Sequence, residues 1–155
     1  MGASAAVGRP LRVMLGLAGL GLAADQLSKY LALRFLRPGE PRPLLGDWVR
    51  LTLTHNRGSA FGLVASSSLL LIVGVAVCLG VLWYVIWGRA LARRPSRAAG
   101  LGLVLGGSLG NLADRIRSRA VTDFLDLRVW PVFNVADIAI TAGLALLALK
   151  LLRGC

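Results

Sequence analysis

"SSSLLLIVGVAVCLGVLWYVIWG", residues 66–88, decides the class of this chain. The run carries no charge and is long enough to cross a bilayer, whose hydrocarbon core takes about 20 apolar residues in a helix. Trp83, Tyr84 and Trp87 stand at its end, which suits an interfacial aromatic belt. The whole chain agrees with the run. Of 155 residues 56% are hydrophobic and the mean hydropathy is +0.71, too apolar for an ordinary soluble domain. A formal charge of +11 would point to nucleic acid in a soluble protein. Here the basic residues cluster between apolar runs, which fits contact with anionic lipid and excludes nucleic acid as the expected partner. Cys78, Cys155 and the lone His55 form neither a disulfide framework nor a metal-ligand cluster.

Three weaker apolar runs flank this one. Together they predict an all-α membrane protein, a bundle of four transmembrane helices in a single domain over residues 1–155, with spans at about 11–33, 67–88, 97–114 and 134–152. The first run, preceded by Arg9 and Arg12, also resembles a cleavable signal peptide ending in "GLAAD". It continues as "LSKYLALRFL" with helical patterning, which favours a retained helix. Between the first two spans, Pro38, Pro41 and Pro43 exclude helix. "DWVRLTLTHN", residues 47–56, then alternates with period two, so a small β element is expected on the outer face. Alternation of four spans puts Asp25, Asn56, Asp114 and Asp137 on one side. The acid-free basic segment 89–97 goes to the other side, with both termini, and is assigned to the cytoplasm.

The polar residues have plain readings as well as functional ones. Asp25 and Lys29 are an i,i+4 ion pair at a helix end, worth a few tenths of a kcal/mol if exposed, or a polar support for a site. Asn56-Arg57-Gly58 is a turn, or presents Asn56 to a bound peptide backbone. Gly106, Gly107, Ser108 and Gly110 permit close helix packing, or leave room for substrate. Asn111, Asp114 and Arg115 satisfy a helix end or supply interfacial charge. Asn134 and Asp137 have N-cap to N3 spacing. Asp123 lies in an apolar patch, where a lone carboxylate is costly. Two carboxylates at membrane depth on one side are hard to explain as caps alone. If close, they share a proton, so that one activates water and the other polarises a carbonyl.

"DQLSK", "NRGSAFG", "GGSLGNLADR", "VTDF" and "FNVAD", in that order over nearly the whole chain, resemble the bacterial lipoprotein signal peptidases, or signal peptidase II. The resemblance implies a four-helix intramembrane aspartic peptidase of the bacterial inner membrane. It would remove the signal peptide from diacylglyceryl-modified prolipoproteins, cleaving just before the lipid-modified cysteine. It places the catalytic pair on Asp123 and Asp137, with support from Asp25, Lys29, Asn56, Gly107, Asn111, Arg115 and Asn134. No metal or cofactor is implied; the partners are the prolipoprotein and membrane lipid, and the chain is expected to act as a monomer. Arg119 stands where the family usually has Gly, and Ser59 where Ala is usual. Two other functions fit some of the same residues. One is a small transporter or proton conductor relaying through the carboxylates. The other is a lipid transferase holding Mg²⁺ on Asp123 and Asp126.

Overall fold

The computed structural model describes residues 2–46, 48–60, 63–64, 67–87 and 95–152. Among these, helices α1 (Gly2–Phe35), α2 (Ser67–Trp87), α3 (Pro95–Ser118) and α4 (Val135–Leu152) form a bundle. The strands are β1 (Arg42–Leu45), β2 (Val49–Asn56), β3 (Ser59–Ala60), β4 (Leu63–Val64) and β5 (Val121–Asp126). Most of the basic segment 89–97, the end of the "NRGSAFG" motif and Cys155 lie outside the described residues.

The first run forms one helix with the residues that follow it. α1 continues unbroken past Asp25, and its Met14 and Ala18 belong to the buried core. It begins nine residues before the expected span and contains Pro10, which gives up one helical hydrogen bond. It ends just before Pro38, whose ring disfavours helical backbone in the preceding residue.

The strand expected at 47–56 is β2, described from Val49. It is the centre of an antiparallel sheet of order β1-β2-β5. Pro43 sits in β1, an edge strand, where a missing N–H leaves no gap in an inner ladder. β5 was not anticipated as a strand. Its first four residues are all buried, so the alternation that marks a half-buried strand is absent. Its pairing with β2 sets Asp123 opposite Thr54 and Val121 opposite Asn56.

α3 is the central helix, and its glycines set the spacing. A Cβ on Gly102 would meet the Met14 carbonyl of α1 at 2.5 Å, and one on Gly106 the Ala18 carbonyl at 2.5 Å. On the face toward α4, a Cβ on Gly107 would meet the Ala136 carbonyl at 2.5 Å. These positions are helix contacts with no space left for a substrate. Leu101, Val104 and Leu105 of α3 complete the core with Cys78 and Val81 of α2.

Large apolar side chains point outward all round the bundle: Leu20, Ile72, Leu79, Trp83, Leu144 and Leu149 are exposed, while Asp25, Lys29, Asp123 and Asn134 are buried. Among the residues whose side chains are described, however, no helix offers a stretch long and apolar enough to cross a membrane; in α2 these run from Ser68 to Tyr84. Charges interrupt the runs of α1 (Asp25, Lys29) and α3 (Asp114, Arg115).

α3 closes on Arg119, whose φ of 57° is left-handed and whose N–H bonds the Arg115 carbonyl at 3.0 Å. Glycine is the residue that takes this helix-ending conformation without strain. A side chain there costs about 1 kcal/mol.

Gly106→Ala should force α1 and α3 apart. Overpacking of this kind costs about 1–3 kcal/mol, or roughly 2–10 °C in a domain of this size. A melting temperature in detergent equal to that of the parent protein would show that the helices do not meet at Gly106.

Candidate functional site

The polar residues of α1, α3, β2, β5 and the start of α4 converge at one end of the bundle. The site rests on Lys29, only 3% exposed. Its ammonium reaches Asp25 Oδ2 at 2.8 Å, Asp114 Oδ2 at 3.1 Å and Asn111 Oδ1 at 3.0 Å. An ammonium has three protons, so its donor capacity is filled. The Asp25–Lys29 pair is therefore not the exposed helix-end pair that spacing alone suggests. It is buried, where removing one partner costs several kcal/mol.

Each carboxylate of this cluster has a second task. Asp25 Oδ1 accepts the Ala136 N–H at 2.9 Å, serving the free N-terminal end of α4 from another helix. Asp114 Oδ2 also accepts the Thr122 N–H at 3.0 Å, which fixes the start of β5. Asp114 is 8% exposed and is not interfacial charge. Gln26 spans Asp25 and Asp114 and accepts Arg117 Nη1 at 2.6 Å.

Because Asn111 Oδ1 is turned to Lys29, its Nδ2 points the other way and donates to Asp137 Oδ1 at 2.8 Å. Asn134 is the N-cap of α4. Its Oδ1 accepts the Asp137 N–H at 3.0 Å, and Asp137 Oδ2 accepts the Asn134 N–H at 3.2 Å. This is a reciprocal capping box with Asp in place of Glu. The Asn134 Nδ2 donates to Asp123 Oδ1 at 2.6 Å and to Asn111 Oδ1 at 3.1 Å. One amide thus holds both Asp123 and the backbone of Asp137. The capping and site readings of Asn134 and Asp137 are one arrangement.

Asn56 joins from β2. Its Oδ1 accepts the Gly58 N–H at 2.9 Å, making the turn, and its amide bonds Asp123. Arg115 donates to the Asn111 carbonyl at 3.5 Å and lies in the field of Asp137, Asp123 and Asp114. Gly107 belongs to the α3–α4 contact that sets the distance between Asn111 and α4. Asp126 is elsewhere. Three positions along a strand puts it on the opposite face from Asp123. Its oxygens accept Thr52 Oγ1 at 2.8 Å and the Arg128 N–H at 2.8 Å. The Mg²⁺ pairing of Asp123 with Asp126 fails on this geometry.

Burial, and then the negative charge of Asp137, push the Asp123 carboxyl up to about 6. The bonds from Asn134 and Asn56, and the Lys29 charge, act in the opposite direction. The two carboxylates open onto different spaces. Asp137 lines an apolar groove of about 430 Å³ with Trp130, Phe133, Ile138 and Thr141. Asp123 lines a polar cavity of about 350 Å³ with His55, Asn56 and Arg57. A buried and a half-buried carboxylate in each other's field, with oriented amide donors, are suited to moving protons at a polar bond between two such spaces.

A family model described as signal peptidase (SPase) II matches residues 17–153. The chain belongs to the signal peptidase II family. Similar proteins include the lipoprotein signal peptidase of Moorella thermoacetica, 46% identical over 136 residues, covering 88% of this chain and 90% of that protein. That of Mycobacterium avium is 40% identical over 154 residues, covering 94% and 82%. Among solved structures, a bacterial membrane enzyme determined by the in meso method at 1.9 Å superposes with a TM-score of 0.82 at 24% identity, covering 92% of this chain and 94% of that one, a likeness of fold. Membership of the signal peptidase II family makes the chain a peptidase.

Sequence reasoning placed most of the cluster but missed the parts played by Asp114, Gln26 and Thr122. Asp114 lies three residues after Asn111, on the same helical face, and that spacing was the available signal.

The carboxyl titration is directly observable. In protein with ¹³C-labelled aspartate, one carboxyl should titrate near pH 6 and vanish in Asp123→Asn. Asn56→Ala removes a bond that favours the ionised form, so the midpoint should rise further. An Asp123 carboxyl that titrates with the ordinary exposed carboxylates would contradict its burial beside the charge of Asp137.

Proposed function

We propose that the chain is an intramembrane aspartic endopeptidase that removes signal peptides from diacylglyceryl-modified prolipoproteins, with Asp123 and Asp137 as its catalytic pair. The observation that carries this is the single Asn134 amide bonded to Asp123 and to the Asp137 backbone, with Asp137 in turn bonded by Asn111. The family supplies the reaction class. Relatives named lipoprotein signal peptidases supply the substrate class.

In the reactive form Asp123 holds the shared proton, a form that its pKa, raised to about 6, makes accessible near neutral pH. Asp137 is the base: it takes a proton from water as the water oxygen attacks the scissile carbonyl carbon. Asp123 gives its proton to the carbonyl oxygen, forming a tetrahedral diol. On collapse Asp137 passes its proton to the leaving nitrogen, and Asp123 recovers one from the diol. Asn56, Asn111, Arg115 and Asn134 hold the carboxylates and the peptide backbone. The groove beside Asp137 takes apolar chain, and the polar cavity beside Asp123 takes the hydrophilic segment that follows the cysteine.

Membrane placement is supported by the uncharged run at 66–88 and by the bundle's outward-facing apolar and inward-facing ionisable residues. A solved bacterial membrane enzyme of the same fold adds to this. We place the protein in the inner membrane with four spans, both termini and the basic segment 89–97 in the cytoplasm, and the sheet and carboxylates near the outer face. A proton conductor would need a polar path through the bundle. Among the described residues the core beyond the site is apolar and includes Met14, Ala18, Leu101, Val104 and Leu105.

Asp123→Asn and Asp137→Asn should each lower cleavage of a diacylated precursor by about 10²–10⁴-fold while the protein stays folded, since each carboxylate is needed in two protonation states. Asp126→Asn should cleave within a few-fold of the parent. Near-parental rates in either of the first two variants would remove that residue from the catalytic pair.

A further inference from the structure

We infer that the cavity between the start of α2 and the end of α3 is a phosphate site, fitted to an anionic phospholipid headgroup. It has a volume of about 460 Å³ and is lined by Ser68, Leu71, Arg115, Ile116 and Arg119. None of these lining residues is acidic. Two guanidinium groups, each able to donate two parallel bonds, match the oxygens of a phosphate. The Ser68 hydroxyl adds a further donor. Leu71 and Ile116 give the same cavity an apolar wall, which suits the glycerol and first methylenes of a lipid and serves a free anion less well.

Arg115 has Asp137, Asp123 and Asp114 in electrostatic range, so its field is partly met from the side of the carboxylate pair. Arg119 is exposed and brings a second positive charge to the same cavity. It does so from a left-handed backbone, φ 57°, where glycine would be unstrained and any other side chain carries a cost. A function for the side chain accounts for a cost that the turn alone does not require. Ser68 and Leu71 belong to the first turns of α2, and Arg115 and Arg119 to the last turn of α3 and its cap. A phosphate between them ties α2 to the central helix beside the carboxylate pair.

The test uses the full chain purified in neutral detergent, and reads the change in melting temperature on adding each probe. Phosphatidylglycerol near saturation should raise it by about 5 °C. Arg119→Gln keeps a polar side chain at the left-handed position but removes the charge, and should lose most of that shift. Arg119→Gly should lose it too, from an unstrained turn. Diacylglycerol has the chains without the phosphate and should give no shift that depends on Arg119. Inorganic phosphate separates the sources. A shift with phosphate alone, lost in Arg119→Gln, keeps the anion site but assigns it to a free ion. A shift with phosphatidylglycerol only assigns it to the headgroup. Full shifts in both Arg119 variants would overturn the site. The free-phosphate arm does not depend on membrane placement, and no arm depends on peptidase activity.

Discussion

Lys29 is the constraint on which the rest of the site depends. A buried ammonium is tolerable when every proton has an acceptor, and Asp25, Asp114 and Asn111 provide them. Those three acceptors come from two helices, so the cation fixes the seam between α1 and α3. It also fixes the direction of one amide. With Asn111 Oδ1 committed to Lys29, the Nδ2 must face Asp137. The orientation passes from a cation to an amide to a carboxylate, with no freedom to flip at the intermediate step. Asp25 uses its remaining oxygen to hold the α4 terminus, so the same cluster also positions the helix that carries Asp137.

Holding two carboxylates at close quarters in an apolar bundle opposes solvation and charge repulsion at once. The chain meets the difficulty by asymmetry. Asp137 is tied into the α4 cap and accepts from Asn111. Asp123 is the more deeply buried, on β5, and burial pushes it up to about 6. Different environments thus separate two residues of the same type, as acid and base work requires. Close contact between the helices makes this possible. Gly106 and Gly107, about 100° apart around α3, face α1 and α4 and let both approach near enough for Lys29 and Asn134 to share Asn111.

Much of this was legible in the sequence. The apolar runs give the helices, the alternation at 47–56 gives β2, and the ordered motifs give the family, which the family match establishes. Other features depend on tertiary contacts. β5 is covered on both faces and lacks the period-two pattern. The Asp25–Lys29 spacing looks like a surface pair because only the fold reveals that both are buried. Asp114 resembles interfacial charge until Lys29 and Thr122 are found beside it. The glycines of α3 were read with two meanings, and the neighbouring carbonyls decide for packing. The left-handed end of α3 at Arg119 has no sign in the local sequence.

The central claim is that this carboxylate pair hydrolyses one peptide bond beside a lipid-modified cysteine. It is tested most directly by incubating the purified protein in detergent with a diacylated prolipoprotein, and with the same precursor lacking the lipid, then locating the new termini by mass spectrometry. The account predicts a released signal peptide ending at the residue before the cysteine, formed from the lipidated precursor and far more slowly from the other. An intact lipidated precursor, or equal cleavage of both forms, would contradict it.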